Sequence, residues 1–349
     1  MHLHMDDTVF KETVLATAHH FNIPELYIEK DYWVTLLLFR LSQYDLNSQL
    51  IFKGGTALAK ASRIIERFSE DIDLAVLMPG CNGNQIKTFM KNAEIRITSD
   101  LIPLPGHAGE SKGSIFRKTY YRYPQYFQGE FGQASQSILL EISAFSLPEP
   151  VIESQIGCLV GDFLRHYNHT SIIERYQLQT FPLLTLSVER TLIEKVVALV
   201  KAARSAEPEK QLKLKIRHIY DICMILRHEK FFTSLRENKL NTMLAVVIEN
   251  DLAQFKQAGN WLELPLNTIP IFTLPDQYWH NLKDEFYGAF VHMVYHQKLP
   301  DDKEVIAALN AIQRLLTHYQ LQAGMRRHKS QDVMIKNAWQ KSRTGSDAK

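Results

Sequence analysis

Apolar positions recur at helical spacing from the beginning of the chain. Phe10, Val14, Leu15 and Ala18 predict a first helix, which Asn22-Ile23-Pro24 breaks. A second helix is predicted from Pro24 or Glu25, carrying Tyr27, Ile28, Tyr32 and Val34 up to Leu41, with a turn at Tyr44–Ser48. The pattern then shortens. Leu50–Lys53 reads as a strand, Gly54-Gly55 as a tight turn, and Thr56–Arg67 as a helix. Phe68-Ser69-Glu70 reads as a loop, and Asp71–Leu77 as a strand ended by Pro79-Gly80. This strand–turn–helix–strand order belongs to a mixed α/β unit. A helix over Asn84–Ala93 and a strand over Ser137–Phe145 follow, and Pro150–Thr180 reads as short strands with one helical turn. After Pro182 the period is helical: Ser187–Arg204, Leu214–Arg227, part of Phe231–Val247, Asp276–Tyr295 and Asp302–Leu321.

The expected organisation is a helical cap over residues 1–45 and an α/β domain over 46–182. An all-helical domain follows over 183–325, then a basic polar tail over 326–349. A length of 349 residues suits such an arrangement. With 45% hydrophobic and 22% charged residues the composition is ordinary, and a net charge of +2 makes no overall case for nucleic acid. The three cysteines, Cys81, Cys158 and Cys223, lack metal-like spacing and point to a reduced cytoplasmic protein. No signal-peptide pattern, membrane-length apolar run, hydrolase triad motif, Walker loop or dinucleotide fingerprint is present. The histidines do not cluster as zinc ligands.

One constellation carries chemistry. Gly54 and Gly55 let backbone approach a ligand closely, and the following helix directs N–H groups at a phosphate beside Thr56. Asp71 and Asp73 alternate onto one strand face, where two hard oxygen ligands suit Mg2+. Glu141, between Leu140 and Ile142, offers a third carboxylate if its strand lies beside Asp71–Leu77. A nucleoside triphosphate on the loop and a metal on the aspartates make a nucleotidyl-transfer site. Two basic stretches bear on the acceptor. Lys112, Arg117, Lys118 and Arg122 interleave with Tyr120 and Tyr121, while Lys201, Arg204, Lys210, Lys213, Lys215 and Arg217 follow later. Charge for backbone and rings for stacking suit a single-stranded RNA end; a solvated face with inward aromatics is the alternative.

Lys53-Gly54-Gly55-Thr56-Ala57-Leu58 followed by Arg67-Phe68-Ser69-Glu70-Asp71-Ile72-Asp73-Leu74 resembles the AbiEii/AbiGii nucleotidyltransferase toxins. These are the toxin halves of type IV toxin–antitoxin and phage-exclusion systems, within the DNA polymerase β-like superfamily. Ile28-Glu29-Lys30-Asp31-Tyr32-Trp33, Arg190–Lys195 and Arg217–Ile222 extend the likeness over roughly residues 28 to 226. The resemblance implies an α+β fold: a polymerase β-like mixed-sheet domain followed by an all-helical one. It implies Asp71 and Asp73 as metal ligands, Ser69 beside the triphosphate, Lys195 as a nucleotide contact, and Asp221 activating the acceptor or completing the polar site. Lys60, four residues after Thr56, falls where many superfamily members carry a basic residue near the phosphates. The expected acceptor is RNA, a tRNA 3′ end, with translation blocked and a cognate antitoxin as partner. A protein hydroxyl, a small molecule, or a non-catalytic binding module on a decayed transferase fold stay open as alternatives.

Overall fold

The Asp-x-Asp strand lies near the middle of a mixed eight-stranded sheet. In chain order the strands are β1 (Leu50–Lys53), β2 (Ile72–Val76), β3 (Ile102–Pro103), β4 (Ser111–Lys112), β5 (Phe116–Arg122), β6 (Ile138–Ser143), β7 (Val151–Ile156) and β8 (Phe181–Leu186). Across the sheet they run β3-β5-β6-β2-β1-β8-β7, with β4 added on β5. The β1–β8 and β2–β6 pairs are parallel and the other pairs antiparallel. The computed structural model describes residues 1–44, 49–129, 136–237, 239–254 and 259–320. The expected basic tail and most of the turn at Tyr44–Ser48 fall outside the described residues.

Helices α1 (Asp7–Phe21) and α2 (Glu25–Ser42) form as the periodicity predicts, and Asn22 ends the first in the left-handed conformation. α2 is buried nearly all round, Glu29 and Lys30 included, which marks an interior helix. It packs on α1, β8, α4 (Gly83–Ile97) and α5 (Leu159–His166). Leu74, Val76, Leu140 and Ile142 of the sheet join the core that contains it.

α3 (Gly54–Lys60) is shorter than expected. The chain leaves the helix through Arg63 at φ +51°, and Ile64 and Ile65 are buried without helical geometry. Burying those isoleucines and carrying Arg67 into the interior outweigh continuing the helix. A second correction concerns β8, which occupies residues read as the onset of helical structure. Leu183-Leu184-Thr185-Leu186 is a short apolar run, and such runs do not reveal by period whether they are strand or buried helix. Its place between β1 and β7 decides the matter.

Beyond α6 (Thr170–Tyr176) and β8 the chain is helical among the described residues. α7 (Val188–Ala203) is capped by Ser187, whose hydroxyl accepts from Arg190 N at 3.2 Å. α8 (Pro208–Leu214), α9 (Ile216–Leu226), α10 (Glu229–Arg236), α11 (Asn241–Gln254), α12 (Pro270–Thr273), α13 (Pro275–Tyr287) and α14 (302–320) follow. α7 packs on α8, α9 and α11. Among the described residues no helix is long and apolar enough to cross a membrane.

Candidate active site

Strand register sets four charged residues in one row. Lys53 of β1 pairs with Asp73 of β2, Asp73 with Glu141 of β6, and Glu141 with Lys118 of β5. Directly opposed residues share a sheet face, so the row reads cation, anion, anion, cation. Asp71 lies two residues before Asp73, just outside β2. Burial, then the charges of Glu141 and Asp71, push the Asp73 carboxyl up to about 7, against the pull of Lys53 and Lys195. Burial raises Glu141 as well, with Lys118 and Lys53 opposing it. Among the described residues no three Asp, Glu, His or Cys side chains converge tightly enough to enclose a metal ion by themselves. Neighbouring acids on an open face instead fit magnesium, which takes one or two carboxylates and completes its shell with water and phosphate oxygens.

The glycine pair is packed onto this row. Gly54 has φ +80°, and a methyl group added there would come within 2.1 Å of Asp73 Oδ2. At Gly55 it would meet Arg67 Nη2 at 2.6 Å and Ser69 Oγ at 2.9 Å. Thr56 Oγ1 donates to Asp71 O at 2.6 Å and lies 3.0 Å from Ser69 Oγ. Gly54, Gly55, Thr56, Ser69, Asp71 and Asp73 are thus brought together. Gly54→Ala should displace the Asp73 carboxylate, cost about 1–3 kcal/mol of stability, and lower transfer at least tenfold. Thermal melting and an initial-rate assay check this; unchanged rates would contradict it.

Lys195 and Asp221 meet behind the loop. Lys195 Nζ lies 2.6 Å from Asp221 Oδ2, and Arg67 forks the same carboxylate, Nε to Oδ1 and Nη2 to Oδ2, both at 2.8 Å. His218 Nδ1 is 3.4 Å from Lys195 Nζ. Burial and the Lys195 charge hold His218 well below its ordinary range. Burial alone would raise Asp221, but Arg67 and Lys195 hold it well below the usual carboxylate range. With no exposed surface and both oxygens engaged, Asp221 is placed to orient the two cations. Of its two expected roles, completing the polar site fits the geometry. Arg67 was given no role by sequence reasoning, although it sits inside the Arg67–Leu74 motif.

Lys60 does not join this group. It lies at the far end of α3, buried, with its ammonium on Asp31 and on Thr35 Oγ1 at 2.6 Å. The basic residue expected near the phosphates is therefore a core ion pair. Lys60→Met should leave nucleotide affinity unchanged and destabilise the fold by about 2–4 kcal/mol, because Asp31 loses its counter-charge and keeps only the Leu159 N–H. Isothermal nucleotide titration and melting separate the two effects; a weakened nucleotide affinity would restore the original expectation. The neighbouring charges of α2 are likewise structural. Lys30 pairs with Glu70, and Glu29 accepts from Tyr126 N at 2.8 Å and Phe127 N at 3.1 Å.

The basic stretches divide by strand alternation and local pairing. Arg117 and Tyr121 turn inward onto Glu94, whereas Lys118, Tyr120 and Arg122 occupy the other side of β5. Lys201 pairs with Asp251, Lys210 with Glu207 and Lys213 with Glu209, and Arg204 donates to backbone carbonyls of Trp261, Leu264 and Pro265.

A family model described as nucleotidyl transferase AbiEii toxin, type IV TA system, matches residues 36–308. The chain belongs to this AbiEii family. It is therefore a nucleotidyltransferase of the toxin class found in type IV toxin–antitoxin systems. Among solved structures, MenT4, a nucleotidyltransferase toxin from Mycobacterium tuberculosis H37Rv, is similar at 16% identity and a TM-score of 0.45. That likeness covers 88% of this chain and 98% of MenT4. No curated protein matches the chain. The AbiEii match takes in the glycine pair, Asp71, Asp73, Glu141, Lys195 and Asp221 and begins within α2.

Proposed function

We propose that this AbiEii-type protein transfers a nucleoside monophosphate from a magnesium-bound triphosphate to the hydroxyl of an RNA acceptor, a tRNA 3′ end, and so blocks translation. The observation that carries the reading is the in-register Asp73–Glu141 pair set against the Gly54 turn. Asp71 and Asp73, with Glu141, would hold the metal, which when bound draws charge from the reacting phosphate and favours the acceptor alkoxide. Gly54, Gly55, Thr56 and Ser69 form the surface on which the β- and γ-phosphates would lie. Lys195, oriented by Asp221, would neutralise charge developing on the departing pyrophosphate. The organisation proposed is an α/β transferase domain preceded by a helical cap, with a C-terminal helical domain that brings Lys195 and Asp221 to the site. A type IV system also supplies a cognate antitoxin as the regulatory partner.

The deciding experiment incubates each α-labelled nucleoside triphosphate with magnesium, protein, and either total RNA or a protein extract. Label in tRNA-sized RNA, lost in Asp71→Ala/Asp73→Ala, is the expected result. Label in protein alone moves the target to a protein hydroxyl. No label in either, with triphosphate binding retained, favours a small-molecule acceptor or a binding module.

A further inference from the structure

We propose that Lys118 and Lys215 form an acceptor-side anion clamp that grips the phosphodiester backbone of a single-stranded nucleic acid entering beside Glu141. The inference rests on the nucleotidyl-transfer reading and adds the side from which the acceptor arrives. The order of strands supplies the direction. The Gly54 turn continues directly from β1, so a triphosphate held on it, and its departing pyrophosphate, would lie on the β1 side of Asp73. In an in-line displacement the attacking oxygen approaches opposite the leaving one, which is toward β6 and β5. Lys118 stands there, opposite Glu141 and 3.8 Å from its carboxylate.

The second cation comes from the helical half. Lys215 immediately precedes α9, the helix whose His218 and Asp221 contact Lys195. The charges that act most strongly on Lys215 are Arg217, Lys118, Glu141 and Lys195, three cations against one carboxylate. Among the described residues its ammonium has no ion pair or hydrogen bond. The lysines of the same basic stretch at 201, 210 and 213 are each paired with an acid. A half-buried ammonium without a counter-charge of its own, set among like charges, is held at a cost that an incoming polyanion offsets. Tyr120 lies two residues beyond Lys118 on the same side of β5, its ring stacked on His107 at 3.6 Å, and offers a rigid aromatic wall beside the path. Charge followed by a ring is the pattern that single-stranded backbone and base require.

The test uses the full chain, a fluorescein-labelled single-stranded RNA oligonucleotide and, separately, a non-hydrolysable nucleoside triphosphate with magnesium. Lys118→Gln/Lys215→Gln should weaken RNA binding about 10- to 100-fold and flatten the slope of log Kd against log salt by about 1.4. Triphosphate affinity should fall far less than RNA affinity, which a folding defect would not allow, and Lys118→Arg/Lys215→Arg should retain RNA binding. Equal loss of RNA and triphosphate affinity would overturn the clamp and assign both lysines to the triphosphate. RNA affinity and salt slope unaltered in the Gln variant would overturn it too. If the wild-type chain binds triphosphate but no RNA, the clamp fails while nucleotidyl transfer to another acceptor stands. If it binds no triphosphate, the transfer reading itself fails.

Discussion

Asp73→Asn should abolish nucleotidyl transfer and, at pH 8, raise the melting temperature. The loss, about 10³-fold or more, follows from removing the central carboxylate of the row. The gain follows from electrostatics. The Asp73 carboxyl sits at about 7 in the folded chain against an ordinary 3.8, because burial and the charges of Glu141 and Asp71 disfavour ionisation. Between those two values the folded state keeps a proton that the unfolded state has released. Stability therefore declines as pH rises through that window and levels off above it. Asparagine removes the charge, so the variant should escape a penalty on the order of a few kcal/mol at pH 8 and little of it near pH 4. Magnesium chloride should raise the wild-type melting temperature at pH 8 and leave the variant nearly unmoved. Melts from pH 4.5 to 8.5, with and without magnesium, check both statements. A variant that melts below wild type at pH 8, or that still transfers label, would sink the account.

Asp221→Asn should be the most damaging substitution to the fold and should disable the site as well. Arg67 and Lys195 both terminate on this carboxylate, and neutralising it leaves two buried cations without their anion. Removing one partner of such a cluster costs about 3–5 kcal/mol. The same change frees Lys195 from the position in which its charge acts on Asp73, so kcat should fall more than the nucleotide KM rises. Lys195→Met provides the contrast: Asp221 keeps the Arg67 fork, so stability should suffer less while transfer is lost. The pH dependence also differs from that of Asp73. Because Asp221 is held below the usual carboxylate range, its contribution is complete above that range and is lost only as pH falls through its folded value in strong acid. Denaturant titrations at pH 5 and pH 8 should therefore show the same deficit for Asp221→Asn. A deficit at only one of the two would contradict this assignment.

The AbiEii motifs divide into two kinds in the structure. Gly54, Gly55, Thr56, Ser69, Asp71 and Asp73 meet in space and come from two short segments joined by one helix and loop, so their juxtaposition was legible from local pattern. Glu29, Lys30 and Asp31 are adjacent in sequence yet serve three different places: the Tyr126–Phe127 backbone, Glu70, and Lys60. Helical spacing sends neighbouring side chains in different directions, so a charged run on an interior helix is divided among several partners.

By itself the sequence determined the strand, turn, helix and strand around the glycine pair, the closeness of Asp71 to Asp73, and the helical character of the second half. Those features follow from periodicity and from residues with restricted or permissive backbones, which act within a few positions. Tertiary structure alone decided that β6 lies beside β2 and turns Glu141 toward Asp73, that β8 is a strand, and that Lys60 is spent on Asp31. It also decided that Arg67 finds Asp221 across 154 positions of sequence. The reason is physical: alternation along a strand says which face a side chain takes, not which strand lies alongside. A buried charge must find a counter-charge, and only the packing of distant elements determines which one it meets.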